Sequence, residues 1–262
     1  MFRRKLALGA AAVGGLAATQ IAFADAPSAP RANAAQAALG VTPSILETTA
    51  RRGASGSVTI TNSTGRKLRM TVRARPWRQA RNGDVAANRS KSLRGVSVSA
   101  SKFTLSSGAQ RAVSVTLSRL PSRRSQYGAL DVIGRPTRRR KGINVAYNLV
   151  SSLRFNPPSS ARRLRLSAGK AKVTGRGSRR ALVIQVRNRG NTVDPVGGSV
   201  DVSGSGGGRS RAIESERILP GKRVEVKLTS LAGMRRGSYT ASVTLSQGGR
   251  NMVSVTRRFR VR

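Results

Sequence analysis

From residue 57 onward, short runs alternate apolar and polar residues, and each run stops at Gly, Ser, Asn or Pro. A period of two puts one set of side chains on each face of an extended strand, which commits the chain to β structure. Val58 and Ile60 alternate with Thr59 and Thr61, and the run ends at the turn cluster Asn62-Ser63-Thr64-Gly65. Leu68, Met70, Val72 and Ala74 face inward against Arg69, Thr71, Arg73 and Arg75. Further strands are expected at 96–105 (one or two), 111–117, 127–133 and 143–155. A second set is expected at 165–173, 181–188, 198–202, 224–228, 239–245 and 252–261, with a Gly/Ser loop at 203–208.

The two sets share a pattern. In the first, Ser106-Ser107-Gly108 precedes the Val113/Val115/Leu117 strand, then Leu120, then Tyr127 opening a strand. In the second, Leu219-Pro220-Gly221 precedes the Val224/Val226/Leu228 strand, then Leu231, then Tyr239 opening a strand. A tyrosine at the start of a penultimate strand ties the corner of an immunoglobulin-like sandwich. The expected fold is all-β: two tandem immunoglobulin-like β-sandwich domains after a signal peptide. Its divisions are a signal peptide at 1–24, a linker at 25–38, one sandwich at 39–158 and a second at 159–262. The join falls near Pro157-Pro158-Ser159-Ser160.

The signal-peptide reading rests on Arg3, Arg4 and Lys5, an uncharged run over 6–22, and small residues around Ala22-Phe23-Ala24. No later segment approaches the ~20 apolar residues of a membrane span, so no transmembrane span is expected after signal cleavage. An extracytoplasmic location follows: periplasmic, wall-associated or secreted.

Charge narrows the partners. The chain carries 50 Lys and Arg against 9 Asp and Glu, a net charge of +41 at pH 7. Such a surface attracts polyanions, and guanidinium forks match phosphate and carboxylate. Codon bias toward Arg competes as an explanation, but it leaves the scarcity of acids unexplained. Aromatic residues make up only 3% of the chain, so stacking platforms for bases are few and no specific nucleic acid is expected.

The chain has no His and no Cys. Thiol nucleophiles and Ser–His–Asp triads are excluded, and the common metal ligands are missing. Glu214 and Glu216 could meet on one strand face, but Arg211 and Arg217 beside them offer simple pairing. The reading is a non-enzymatic binding protein with no cofactor, no metal and no catalytic residue.

Three features could carry binding, one of them a diffuse arginine density: Arg66, Lys67, Arg69, Arg73, Arg75 and Arg78 in the first half, and Arg176, Arg179, Arg180, Arg187 and Arg189 in the second. The run Arg135, Arg138, Arg139, Arg140 and Lys141 reads as an exposed hairpin loop able to grip a polyanion, or as a solvated basic loop. The following strand sets Ile143, Val145, Tyr147 and Leu149 on one face. At a sheet edge its backbone could pair with an incoming chain; as an inner strand it would only fill the core. Asn62-Ser63-Thr64 and Asn88-Arg89-Ser90 fit a glycosylation sequon.

The layout resembles PapD-like periplasmic pilus (fimbrial) chaperones. The matching stretches are Ser57 to Asn62, Phe103-Thr104-Leu105 with Gly108-Ala109-Gln110, and Leu120-Pro121-Ser122 leading into Tyr127. The Ile143/Val145/Tyr147/Leu149 strand then follows a basic loop and precedes Phe155-Asn156-Pro157. The resemblance implies a strand lent to an envelope or pilus protein. The family also anchors its partner with an Arg and a Lys, whose positions align near Leu46 and Val150; neither is basic here, leaving Arg51, Arg52 or Arg154 as substitutes. The texture is also similar to envelope proteins with paired immunoglobulin-like domains, matching at Asn82-Gly83-Asp84, Tyr127-Gly128-Ala129 and Ile133-Gly134. Two functions stand: a chaperone-like protein capturing a partner strand, or a surface protein adhering to anionic cell-wall polymer through Arg-rich faces.

Overall fold

The computed structural model describes residues 38–138, 144–204 and 206–262. The expected signal peptide, and the expected linker except residue 38, lie outside the described residues. Apart from single 3-10 turns at Ser159–Ala161 and Gly177–Arg179, the regular structure described is all strand. No helix of the described residues is long and apolar enough to cross a membrane.

The first ten strands are β1 (Leu39–Thr42), β2 (Ile45–Thr49), β3 (Ala54–Asn62), β4 (Leu68–Gln79), β5 (Val85–Ala87), β6 (Val96–Val98), β7 (Lys102–Leu105), β8 (Gln110–Leu117), β9 (Gln126–Pro136) and β10 (Tyr147–Asn156). They form a sheet of order β1-β3-β8-β6 facing a sheet of order β2-β10-β9-β4-β5, in which β7 also pairs with β4. The second sandwich contains β11 (Leu166–Thr174), β12 (Ala181–Asn188), β13 (Pro195–Gly204), β14 (Arg209–Arg217), β15 (Arg223–Ser230), β16 (Gly237–Gln247) and β17 (Arg250–Val261). Its sheets run β11-β12-β15 and β14-β13-β16-β17. Each sandwich closes over its own apolar cluster. Ile60, Leu68, Leu130 and Phe155 are among the buried residues of the first, and Leu182, Ile184, Ile218 and Leu245 of the second.

The alternation read from the sequence sets these faces. In β4 the buried residues Leu68, Met70, Val72 and Ala74 alternate with Arg69, Thr71 and Arg73 as expected, but Arg75 is buried as well. Its Nη1 donates to the Lys91 carbonyl at 3.0 Å, while its buried Nε has no partner among the described residues. Four strands were not expected: β1, β2, β5 and β14. The first three are short, and β1 and β2 flank Pro43. β14 is a sheet edge whose only buried residue is Ile213, so it shows almost no alternation.

The shared pattern of the halves has a physical centre that the sequence reading passed over. Asn62 ends β3 and Asn188 ends β12, and both side chains are fully buried. The Asn62 Nδ2 donates to the carbonyls of Arg66 (2.8 Å), Leu105 (2.9 Å) and Ser106 (3.0 Å). Its Oδ1 accepts from the Thr64 N–H and hydroxyl. The Asn188 Nδ2 donates to the carbonyls of Thr192 and Ile218, both at 2.7 Å, and its Oδ1 accepts from the Gly190 N–H. The backbones match too: Gly108 N–H donates to the Asn62 carbonyl, and Gly221 N–H to that of Asn188. Each asparagine therefore clasps the end of one strand to the turn that opens a later one. Burial removes Asn62 from the glycosylation sequons; Asn88 is only half-buried, its Oδ1 accepting from the Ser90 N–H and hydroxyl.

The tyrosines divide. Tyr239 ties a corner as expected, its hydroxyl donating to the Arg235 carbonyl at 2.9 Å, with its ring stacked on Phe259. Tyr127 does not. Its hydroxyl lies 3.1 Å from Asn156 Oδ1 and 3.2 Å from the Asn191 carbonyl, at the join between the sandwiches. Burial, and then the nearby Asp194 carboxylate, push the phenol well above its ordinary pKa, so it stays a donor.

Asn62→Asp keeps the size of the side chain but removes both Nδ2 protons, so the carbonyls of Arg66, Leu105 and Ser106 each lose a donor, although Arg66 keeps the Thr64 hydroxyl and Ser106 the Ala109 N–H. Unfolding by urea is expected to show a loss of about 1–3 kcal/mol, the cost of leaving a buried polar group such as the Leu105 carbonyl short of a donor. The same change at the half-buried Asn88, whose hydrogen bonds to Ser90 use only the Oδ1 that Asp retains, is expected to shift stability by no more than about 0.5 kcal/mol. Equal effects at the two positions would contradict the clasp.

Candidate functional site

The site is built from the way the chain enters the first sandwich. β1 pairs antiparallel with β3, from Leu39 opposite Asn62 to Thr42 opposite Thr59. The chain crosses to the other sheet at Pro43-Ser44, and β2 then runs parallel to β10, from Ile45 beside Ser152 to Thr49 beside Asn156. Pro43 has no N–H to continue the first ladder. β10 itself pairs with β9 along almost its whole length, from Tyr147 opposite Gly134 to Phe155 opposite Gln126. Only the second half of β10 therefore has a strand on both sides. The covered half begins where Ser152 N–H donates to the Ser44 carbonyl at 2.8 Å, and the Ser151 hydroxyl donates to the carbonyls of Pro43 and Ser44. Along residues 147–150, no strand of the described residues pairs with the outer side of β10.

Side chains follow the same division. Leu153 and Phe155 in the covered half are fully buried. Tyr147 and Leu149 in the uncovered half are half-buried against the same core. Five large apolar residues among those described are exposed, and three of them, Ile45, Val145 and Val150, line this edge. Single exposed apolar residues need no explanation, but a group along an open strand edge marks a surface suited to a partner.

The strand is shorter than expected. It starts at Tyr147; Val145 stands ahead of it in the irregular segment 144–146, half exposed, and Ile143 lies outside the described residues. Extending the register would set Val145 opposite Pro136, which has no N–H to donate. Val145 is thus not part of the strand face that Tyr147 and Leu149 share.

The basic run is also reorganised. Arg135 belongs to strand β9, opposite Arg69 of β4, not to a loop. Arg138 follows in an exposed bend, and its carbonyl accepts from Arg66 Nη2 at 3.2 Å. Arg139, Arg140 and Lys141 lie outside the described residues. Two neighbouring concavities of about 490 and 580 Å³ bring Arg69 and Arg135, and Arg66, Lys67 and Arg138, around Pro136 and Thr137. The first also includes Asn144 and Ala146, so cations adjoin the segment that leads into the open edge. Sequence spacing did not reveal Arg66, Lys67 and Arg69 as neighbours of this run, because the β4–β9 pairing brings them there.

The positions of the family's anchoring cations remain apolar: Leu46 is buried and Val150 exposed. Arg154 is engaged with Glu47 at 3.4 Å, while Arg51 and Arg52 are exposed in the turn after β2. Glu216, expected beside Arg211 and Arg217, instead faces Asp84 of the first sandwich. Gln79 secures that contact, donating to the Arg217 carbonyl and accepting from the Leu219 N–H.

No protein-family model matches the chain, and no curated protein matches it. Among solved structures it is similar to a chain of a chaperone–tip adhesin complex of CFA/I fimbriae biogenesis, at 14% identity and a TM-score of 0.51, covering 85% of this chain and 98% of that one. It is also similar to the class 5 fimbriae chaperone CfaA, at 13% identity and a TM-score of 0.49, covering 84% and 98%. The E. coli chaperone DraB aligns at 15% identity and a TM-score of 0.45, covering 85% and 98%. The first of these superpositions shows that the two-domain β-sandwich fold is shared with that chain.

Burial, and then the Asp84 carboxylate, raise the Glu216 pKa above its ordinary value. A raised carboxylate pKa means that the folded protein holds the proton more tightly than the unfolded chain, so ionisation destabilises the fold. Glu216→Gln is therefore expected to raise the thermal midpoint at pH 7. The gain should shrink as pH falls through the carboxylate range, where wild type also becomes neutral. A midpoint unchanged at pH 7 would contradict the packing of the two acids.

Proposed function

We propose that this protein is an extracytoplasmic, non-enzymatic, chaperone-like binding protein that captures a partner polypeptide by strand addition along residues 147–150 of β10. The observation that carries the reading is the half-covered strand: β2 flanks β10 only from Ser152, and Tyr147 and Leu149 pack half-buried beneath the open part. An incoming strand would take up backbone groups that no strand of the described residues pairs with and cover Leu149, with Val145 and Val150 offering further apolar contact. The basic residues Arg66, Lys67, Arg69, Arg135 and Arg138 near the entry would speed the encounter with an acidic or polar partner. The similarity to a chain from a chaperone–tip adhesin complex supports an envelope or pilus protein as the partner.

The test is retention of envelope proteins on the immobilised mature protein at high salt. Wild type is expected to hold a discrete protein. Leu149→Asp, checked for native circular dichroism, is expected to lose it. Val85→Asp and Leu120→Asp change exposed apolar residues away from the edge and are expected to keep it. Equal retention by Leu149→Asp and wild type would overturn strand capture.

A second reading, adhesion to anionic wall polymer, is favoured by the cations gathered around Pro136 and Thr137 with no acid lining either concavity. It predicts polymer binding that falls steeply with salt and is weakened by replacing Arg66, Arg69 and Arg135 with Gln. Binding that is insensitive to salt and to those changes would contradict it.

A further inference from the structure

Away from the strand edge, at the join of the two sandwiches, lies a concavity of about 480 Å³. Arg123 and Arg124 approach it from the loop before β9, Arg163 from the segment between the sandwiches, and Arg189 from the end of β12, above Gly190 and Asn191. No carboxylate lines it. The four ion pairs among the described residues use Arg89, Arg154, Arg162 and Lys172, and none of these four arginines. Asp194, the acid closest in sequence to the floor, is paired with Arg162 at 2.9 Å.

The framework is fixed, although the guanidiniums are exposed. Asn191 is buried, and its Nδ2 donates to the carbonyls of Arg123 (3.0 Å) and Ala161 (2.8 Å). Its Oδ1 accepts from the Arg163 N–H at 2.8 Å, and its own carbonyl accepts from the Tyr127 hydroxyl. One side chain, on the segment that carries Arg189, thus ties down the two other segments that carry the arginines. Gly190 lies so close to the Arg163 carbonyl that a Cβ there would collide with it. Arg124 has φ of 53°, the only non-glycine residue among those described in the left-handed region. Such a conformation is unfavourable for a residue with a Cβ and persists where the surroundings impose it.

Four like charges around one concavity repel one another, and an anion seated among them relieves that repulsion. Guanidinium forks pair best with oxyanions that accept several hydrogen bonds, and phosphate offers more acceptors and more charge than a single carboxylate. We infer that the Arg123/Arg124/Arg163/Arg189 concavity is a binding site for a phosphate group, borne either by a free ion or by a phosphodiester polymer. It is independent of strand capture.

Calorimetry of the mature protein with inorganic phosphate, and separately with a short phosphodiester oligomer, tests this at constant ionic strength. The expected result is saturable binding at one site, weakened at least about tenfold by the double change Arg124→Ala and Arg163→Ala. The double change Arg258→Ala and Arg260→Ala removes the same charge from exposed positions of β17 and is expected to leave binding unchanged. Binding of inorganic phosphate supports the site with a free ion as a source. Binding of the oligomer alone supports it with a polymer as the source. Absence of saturation, equal weakening by both double variants, or acetate binding as tightly as phosphate would overturn it.

Discussion

The first sandwich depends on how its N-terminal strand is divided. An antiparallel sheet leaves unpaired backbone along each edge, and a protein must cover, blunt or use those edges. Here the chain contributes β1 to one sheet and β2 to the other, with Pro43 and Ser44 between them. That division closes the part of the sandwich where Leu153 and Phe155 are buried, and among the described residues no second strand flanks β10 ahead of Ser152. The half-buried state of Tyr147 and Leu149 goes with that one-sided pairing, because their own sequence pattern is that of core residues.

Around this edge the structure is held by polar groups that have found buried partners. Asn62 and Asn188 clasp equivalent strand ends in the two sandwiches, and Asn191 holds the segments at the join. With so few acids, the chain forms only four ion pairs among the described residues, so neutral amides do much of the cross-linking that carboxylates do elsewhere. Amides satisfy carbonyls without adding to the net charge, and each buried one is costly to replace. The excess cations are left on the surface, where two of their groupings border concavities with no acid.

Much of the fold was legible because alternation reports which face of a strand is buried. β3, β4, β8 and β16 follow the apolar periodicity, while β12 buries Ala181 through Ile184 in succession. β14 was not legible, since an edge strand with one buried residue has no period to read. β1 and β2 were hidden by their shortness. The candidate site was legible only as residues. Tyr147 and Leu149 were picked out by alternation, but whether their strand was an edge depended on where β2 stopped, a long-range pairing that no local pattern records. The same limit explains Val145, whose spacing fits the strand but whose opposite residue is a proline. It also explains Arg135, placed in β9 by its pairing with β4.

Strand addition has a direct signature in amide hydrogen exchange. The mature protein is compared alone and loaded with the envelope protein it retains at high salt. Residues 152–156 already lie between β2 and β9, so their protection should change little on loading. The account predicts that new protection appears within residues 147–150, on the side of β10 that no strand of the described residues pairs with. Protection that rises elsewhere while residues 147–150 exchange as in the free protein would contradict capture at this edge.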